Sequence, residues 1–319
     1  MSGPIPGGGD RPLLCLLGPT ATGKTALAVE LVARLPLEIV SVDSVMVYRG
    51  MDIGTAKPPP ELRAVAPHHL VDILDPAESY SAARFVADAE RVMAGIRRRG
   101  RIPLLVGGTF LYFRALCEGL GPLPAADPRL RARLAAELRQ LGTAALHARL
   151  RRLDPAAAER IHPNDPQRIQ RALEVCELTG RPMTEQWRPP ARRPRRCLRI
   201  ALVPSDRQRL DRCIEARLDA MLAAGLVAEV EALFRRPDLG PELPSMRAVG
   251  YRQVWQYLAG DCERTALKPR ILAATRQYAK RQLTWLKKES IDFRFDPESP
   301  DLLDSIQAVI MRDLLAVEG

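Results

Sequence analysis

The chain has 319 residues, 46% hydrophobic and 27% charged, enough for one large or two modest domains with a buried core, and no apolar run approaches the length of a membrane span. Its net charge of +10 is uneven: residues 127–199 carry 17 Lys and Arg against 8 Asp and Glu, and residues 263–288 carry 8 against 1, so the remainder is acidic. Two concentrated basic segments are the pattern of a polyanion binder, because clustered Lys and Arg neutralise phosphates and release counterions.

Residues 1–10, MSGPIPGGGD, lack the apolar core and basic flank of a signal peptide and read as a disordered tail. Six cysteines, at 15, 117, 176, 197, 213 and 262, have no metal-knuckle spacing and read as reduced, mostly buried thiols. A cytoplasmic protein is expected, with a monomer as the default state.

LLCLL at 13–17 predicts a first strand, followed by GPTATGKT at 18–25 and a helix from KTALAVELVARL. LEIVSVD at 37–43 predicts a second strand ending on Asp43, and HLVDIL at 69–74 a third. His68 and His69 are neighbours on that segment, so their rings face opposite ways and a shared metal is not expected. SAARFVADAERVMAGIRRRG at 81–100 is amphipathic, and IPLLVGGT at 102–109 predicts a fourth strand ending on Gly107, Gly108 and Thr109. Short continuous apolar runs alternating with helices give an α/β class, a parallel sheet with helices on both faces. Ligands in such sheets sit beyond the carboxyl ends of the strands, which gathers residues 18–25, Asp43 and Thr109 around one crevice.

From residue 121 helical periodicity replaces the alternation. The expected organisation is a core from 11–120 and 196–319, carrying an all-helical insertion over 121–195. PPARRPRR at 189–196 reads as a linker and LRIALVP at 198–204 as a return strand. Helices are predicted at 206–235, 245–259, 263–289 and 300–316, with an edge strand in IDFRFDP at 291–297.

GPTATGKT matches the phosphate-loop pattern GxxxxGK[ST] between a strand and a helix. Gly18 and Gly23 let the backbone N–H groups of Gly18, Pro19, Thr20, Ala21, Thr22, Gly23, Lys24 and Thr25 (Pro19 excepted, having none) turn on an anion. Lys24 adds a cation, and the Thr25 hydroxyl can ligate Mg²⁺. The loop recognises a polyphosphate without naming it. Asp43 reads as a metal-binding carboxylate, a base facing a nucleophile, or a turn cap; Thr109 reads as a ligand contact or a helix cap.

DSVMVYRGMDIGTAKP (43–58), GGTFLYFRAL (107–116), NDPQRIQRALEV (164–175), SMRAVGYRQ (245–253) and KRQLTWLKK (280–288) occur in that order after the loop. With it they resemble the bacterial tRNA dimethylallyltransferases, or tRNA isopentenyltransferases, over residues 13–290. The resemblance implies a P-loop NTPase-like core and an insertion that grips tRNA. It implies that the loop cradles dimethylallyl diphosphate with Mg²⁺ rather than ATP, and that the acceptor is the amine of the adenosine 3′ of the anticodon in tRNAs reading codons that begin with U.

By the same resemblance Asp43, Thr109 and Arg217 are catalytic. The tRNA-contacting residues are Asp43, Ser44, Val45, Met46 and Thr109; Arg131; Gln167, Arg168, Ile169, Gln170 and Arg171; Arg247, Ala248, Val249, Gly250, Tyr251 and Arg252; and Lys280, Arg281, Gln282, Leu283, Thr284, Trp285, Leu286 and Lys287. Met46 stands where these proteins often have Gln, and the zinc finger of some eukaryotic relatives is absent. The competing readings are an ATP-dependent kinase of a small metabolite, which needs no basic insertion, and a GTP-driven module, whose NKxD string is missing.

Overall fold

The computed structural model describes residues 12–121, 123–186 and 195–315; the tail expected at 1–10 and most of the linker at 189–196 lie outside them. The chain divides into two compact units, Met1–Cys117 with Arg195–Gly319, and Glu118–Pro194.

In the first unit the chain runs β1 (Leu13–Leu17), α1 (Lys24–Arg34), β2 (Leu37–Val42), α2 (Pro60–Val65), β3 (His68–His69), α3 (Ala82–Arg98), β4 (Ile102–Gly107) and α4 (Phe110–Glu118). The second unit holds α5 (Pro128–Leu153), α6 (Pro155–Arg160), α7 (Pro166–Thr179) and α8 (Met183–Gln186). The chain then returns through β5 (Cys197–Leu202), α9 (Arg207–Ala223), α10 (Leu226–Phe234), α11 (Tyr251–Leu258), α12 (Arg264–Leu286), β6 (Phe293–Phe295) and α13 (Leu302–Leu315).

The six strands form one parallel sheet in the order β3-β2-β4-β1-β5-β6. Strands covered on both faces need apolar side chains at successive positions, and alternate residues sort between two cores. Leu13, Leu17, Val40, Val42 and Leu105 pack with α3, α4, α10, α11 and α12. Leu14, Leu16, Ile39, Leu104 and Val106 pack with α1 and α13.

The third strand is shorter than expected. Leu70 and Asp72 take positive φ, 63° and 56°, and the segment bonds the 46–47 loop instead, through Asp72 N to Met46 O and Ile73 N to Val47 O. The expected helix at 206–235 is two, broken at Gly225 with φ 102°, and the one at 245–259 begins only after Gly250, at φ 92°.

The second unit has no strand among its described residues. Its three longest helices each start with an Asp cap followed by Pro: Asp127, Asp154 and Asp165 accept from Leu130, Ala157 and Arg168 N–H. The carboxylate satisfies an orphan donor, and the following Pro needs none. Leu134, Leu146, Leu150, Ile169 and Leu173 form its core.

Candidate active site

The sheet's carboxyl ends surround a cavity of about 400 Å³, lined by Thr20–Thr25 of the phosphate loop, Asp43, Met46, His68, Gly107, Gly108, Arg217, Tyr278 and Gln282, among others. Strand ends set these positions. β1 delivers the loop, β2 stops one residue before Asp43, and β4 ends on Gly107.

The loop turns through left-handed conformations at Ala21 (φ 64°) and Gly23 (φ 75°), the arrangement that points consecutive N–H groups at an anion. The Thr22 hydroxyl donates to Pro19 O at 2.9 Å, and Lys24 Nζ folds onto the same carbonyl. Arg217 on α9 donates to Thr20 Oγ1 at 3.0 Å. Gln282 on α12, 4% exposed, accepts from Thr20 N at 2.9 Å and donates to Gly108 O at 3.0 Å. One amide thus ties the loop to the end of β4. A Cβ on Gly108 would sit 2.3 Å from Gln282 Nε2 and 3.1 Å from Gly18 O, so a larger residue there would have to displace this amide.

Asp43 Oδ1 accepts from Val45 N at 2.8 Å and Met46 N at 3.2 Å. The turn-cap role is therefore real for one oxygen, and Oδ2 takes part in neither bond. Thr109 accepts from Ser44 N at 3.2 Å and lies beside the Tyr278 hydroxyl. The Tyr278 phenol is pushed up by burial and by the Asp43 charge, so it is a neutral donor. Thr25 lines the cavity from the first turn of α1. Its hydroxyl, with phosphate oxygens, supplies the hard donors Mg²⁺ prefers.

Burial and then the neighbouring Arg217 pull Lys24 down to about 7, with Asp43 opposing; burial likewise lowers Arg217. A bound polyanion reverses this by favouring both charged forms. Below pH 7 Lys24 is already charged and binding takes up no proton there. Above 7 binding must first protonate it, so log Kd for a diphosphate should rise by about one per pH unit. Calorimetry from pH 6.5 to 9 checks this: Lys24→Arg, which stays charged, should flatten that limb, and an equally steep limb in Lys24→Arg would reassign the proton.

The model of the family described as IPP transferase matches residues 46–289. Curated tRNA dimethylallyltransferases are similar throughout: that of Halorhodospira halophila is 59% identical over 286 residues, covering 89% of this chain and 92% of that one. That of Thioalkalivibrio sulfidiphilus is 60% identical over 278 residues, covering 86% and 87%. The chain belongs to the tRNA dimethylallyltransferase family.

Solved structures of the family share the fold. The tRNA isopentenylpyrophosphate transferase from Bacillus halodurans is 37% identical with a TM-score of 0.70, covering 96% of this chain and 98% of that one. A eukaryotic dimethylallyltransferase acting on tRNA is 26% identical with a TM-score of 0.77, covering 96% and 80%.

Not every residue expected at the tRNA surface is placed to face a ligand. Ile169, Tyr251 and Leu286 are core residues. Tyr251 donates to Glu229, whose carboxylate also accepts from Asp52, Ile53 and Gly54 N–H, and so anchors that loop. Gln282 is spent on the loop and Gly108. Arg131 and Arg171 both clasp the fully buried Glu174, whose carboxyl stays below its ordinary value because these arginines and Asp127 N–H outweigh burial.

Gln167, Arg168, Arg247, Arg252, Lys280, Arg281, Thr284 and Lys287 are exposed. Ser44, Val45, Gln170, Ala248, Val249, Leu283 and Trp285 are partly exposed, while Gly250 is buried as the α11 cap.

His68 was legible only as half of a pair. It lines the cavity, with Nδ1 meeting Ala66 O at 2.6 Å and Nε2 buried without a partner among the described residues. His69 turns away to Glu38, so the two rings share no metal.

Proposed function

We propose that the cavity binds dimethylallyl diphosphate and transfers its five-carbon group to the N6 amine of the adenosine 3′ of the anticodon, in tRNAs reading U-starting codons. The observation that carries this is one cavity holding a phosphate loop, two basic side chains and a carboxylate with one oxygen outside its turn bonds. Loop N–H groups, Lys24 and Arg217 stabilise the charge growing on the departing diphosphate, the interaction that matters most when an anion leaves. Ile39, Met46 and Val106 offer an apolar wall for the tail. Asp43 Oδ2 accepts the amine proton as the new C–N bond forms and the C–O electron pair leaves with diphosphate. Thr109 and Tyr278 hold the 43–46 turn and the adenine beside it. Mg²⁺, held by Thr25 and phosphate oxygens, would add positive charge at the leaving group.

Family membership sets the kinase reading aside. Incubating the protein with radiolabelled dimethylallyl diphosphate and total tRNA, followed by nucleoside analysis, tests the reading. Label absent from a modified adenosine, or thermal stabilisation by ATP alone, would defeat it. Cytoplasmic residence and a monomeric enzyme complete the proposal; among the described residues no helix is long and apolar enough to cross a membrane.

The basic insertion separates two roles for its arginines. Arg168→Glu should weaken tRNA binding and lower the slope of log K against log salt by about one per lost phosphate contact. Arg171→Glu instead faces the buried Glu174 carboxylate and should destabilise the helical unit by on the order of 3–5 kcal/mol. Salt-dependent binding and thermal melts of both variants check this; an unchanged slope in a folded Arg168→Glu makes that arginine a solvated surface charge.

A further inference from the structure

Three thiols from distant parts of the chain meet on the α4 side of the sheet. Cys15 lies in mid-β1, Cys117 in the last turn of α4, and Cys197 opens β5. Their sulfurs all lie within 4.8 Å of one another, with Cys15 and Cys117 buried and Cys197 partly exposed. Cys15 Sγ donates to Leu13 O at 3.6 Å and Cys197 Sγ to Arg195 O at 3.4 Å, while Arg199 lies beside Cys117. None of the three lines the phosphate-loop cavity.

We propose that these sulfurs form a three-thiolate site for a soft divalent cation of the zinc class. Thiolates select such ions, and sulfurs about 2.3 Å from a common metal stand about 4 Å from each other, inside the 4.8 Å within which all three lie. Charge also balances, since three thiolates and a divalent ion sum to −1 and Arg199 supplies +1. In register, Cys15 pairs with Arg199 and Leu13 with Cys197, so Arg199 and both strand cysteines share one face.

A disulfide fits the strand pair less well. Two residues of offset between neighbouring strands put the Cys15 and Cys197 Cα atoms about 8 Å apart, beyond the roughly 7 Å limit for a bridge. A metal bonded to both sulfurs spans that gap. The position gives the ion a structural task. Cys117 is the last residue before the chain leaves the sheet unit, and Cys197 follows its return at Arg195 by two residues. A metal there would fasten both crossings to β1.

Titration of the full-length, reduced protein with Cd²⁺ tests the site through the cadmium–thiolate ultraviolet band. One tightly bound equivalent is expected, together with a rise in Tm. Cys117→Ser and Cys197→Ser should each weaken binding by at least the roughly 10–100-fold that lesser changes around a metal cause. Cys176→Ser, Cys213→Ser and Cys262→Ser should leave it intact. Absence of a stoichiometric band, or a band that survives both ligand variants, overturns the proposal. Should the ligand variants fail to fold, X-ray absorption of the Cd²⁺-loaded wild type decides: three sulfur neighbours support the site and fewer than three refute it.

Discussion

Asp43→Asn should lower turnover by about 10²–10⁴-fold, the usual worth of acid–base assistance, while both substrates still bind. The carboxylate does two jobs with two oxygens. Oδ1 holds the turn through Val45 and Met46 N–H, and an asparagine oxygen can do the same. Only the charge and basicity of Oδ2 are lost, so stability should barely change. Single-turnover kinetics at saturating substrate, beside a thermal melt, measure the two jobs separately. Weak diphosphate binding that excess Mg²⁺ restores would instead make Asp43 a metal ligand. Normal turnover would leave it a turn cap alone.

Gly107→Ala should cost about 3 kcal/mol, the upper end for overpacking a core, or roughly 4–5 °C in Tm for a chain of 319 residues. A Cβ at Gly107 would lie 2.1 Å from Val42 O and 2.6 Å from Val42 C. Both are backbone atoms of the neighbouring strand, so no side chain can swing aside. β2 and β4 would have to part where they deliver Asp43 and Gly108, and activity should fall with stability. A melt within 2 °C of wild type, on the same scale, would show that the strand ends have slack.

Much of this was legible in the sequence because parallel strands buried on both faces leave continuous apolar runs. β1, β2, β4 and β5 fall on LLCLL, LEIVSV, IPLLVG and CLRIAL. The phosphate loop is legible for another reason: its backbone geometry demands a fixed string. HLVDIL carries an equally good strand pattern and still fails as one. Its fate is decided by partners distant in sequence, as Lys57 and Arg63 clasp the Asp72 side chain while its N–H bonds Met46 O. Non-glycine residues at positive φ give no local warning.

The site divides in the same way. Lys24, Asp43 and Arg217 came from motif and resemblance, whereas the tie from Gln282 to Thr20 spans 262 residues and leaves no periodic trace. The charge surplus of the insertion was countable, but the use of Arg131 and Arg171 against Glu174 was not, because composition does not say which charges are already neutralised.

The chain leaves and re-enters the sheet unit through adjacent positions, Arg195 N bonding Cys117 O at 2.8 Å. Everything between them is therefore a closed excursion whose length does not alter the register of β1 against β4 and β5. Closing a longer excursion adds entropy only logarithmically, about 0.6 kcal/mol for each doubling. Selection can lengthen, shorten or exchange the helical segment at that doorway almost independently of the sheet and its cavity. The excursion and the sheet are thus separable by topology, and a change in one does not require the other to be rebuilt.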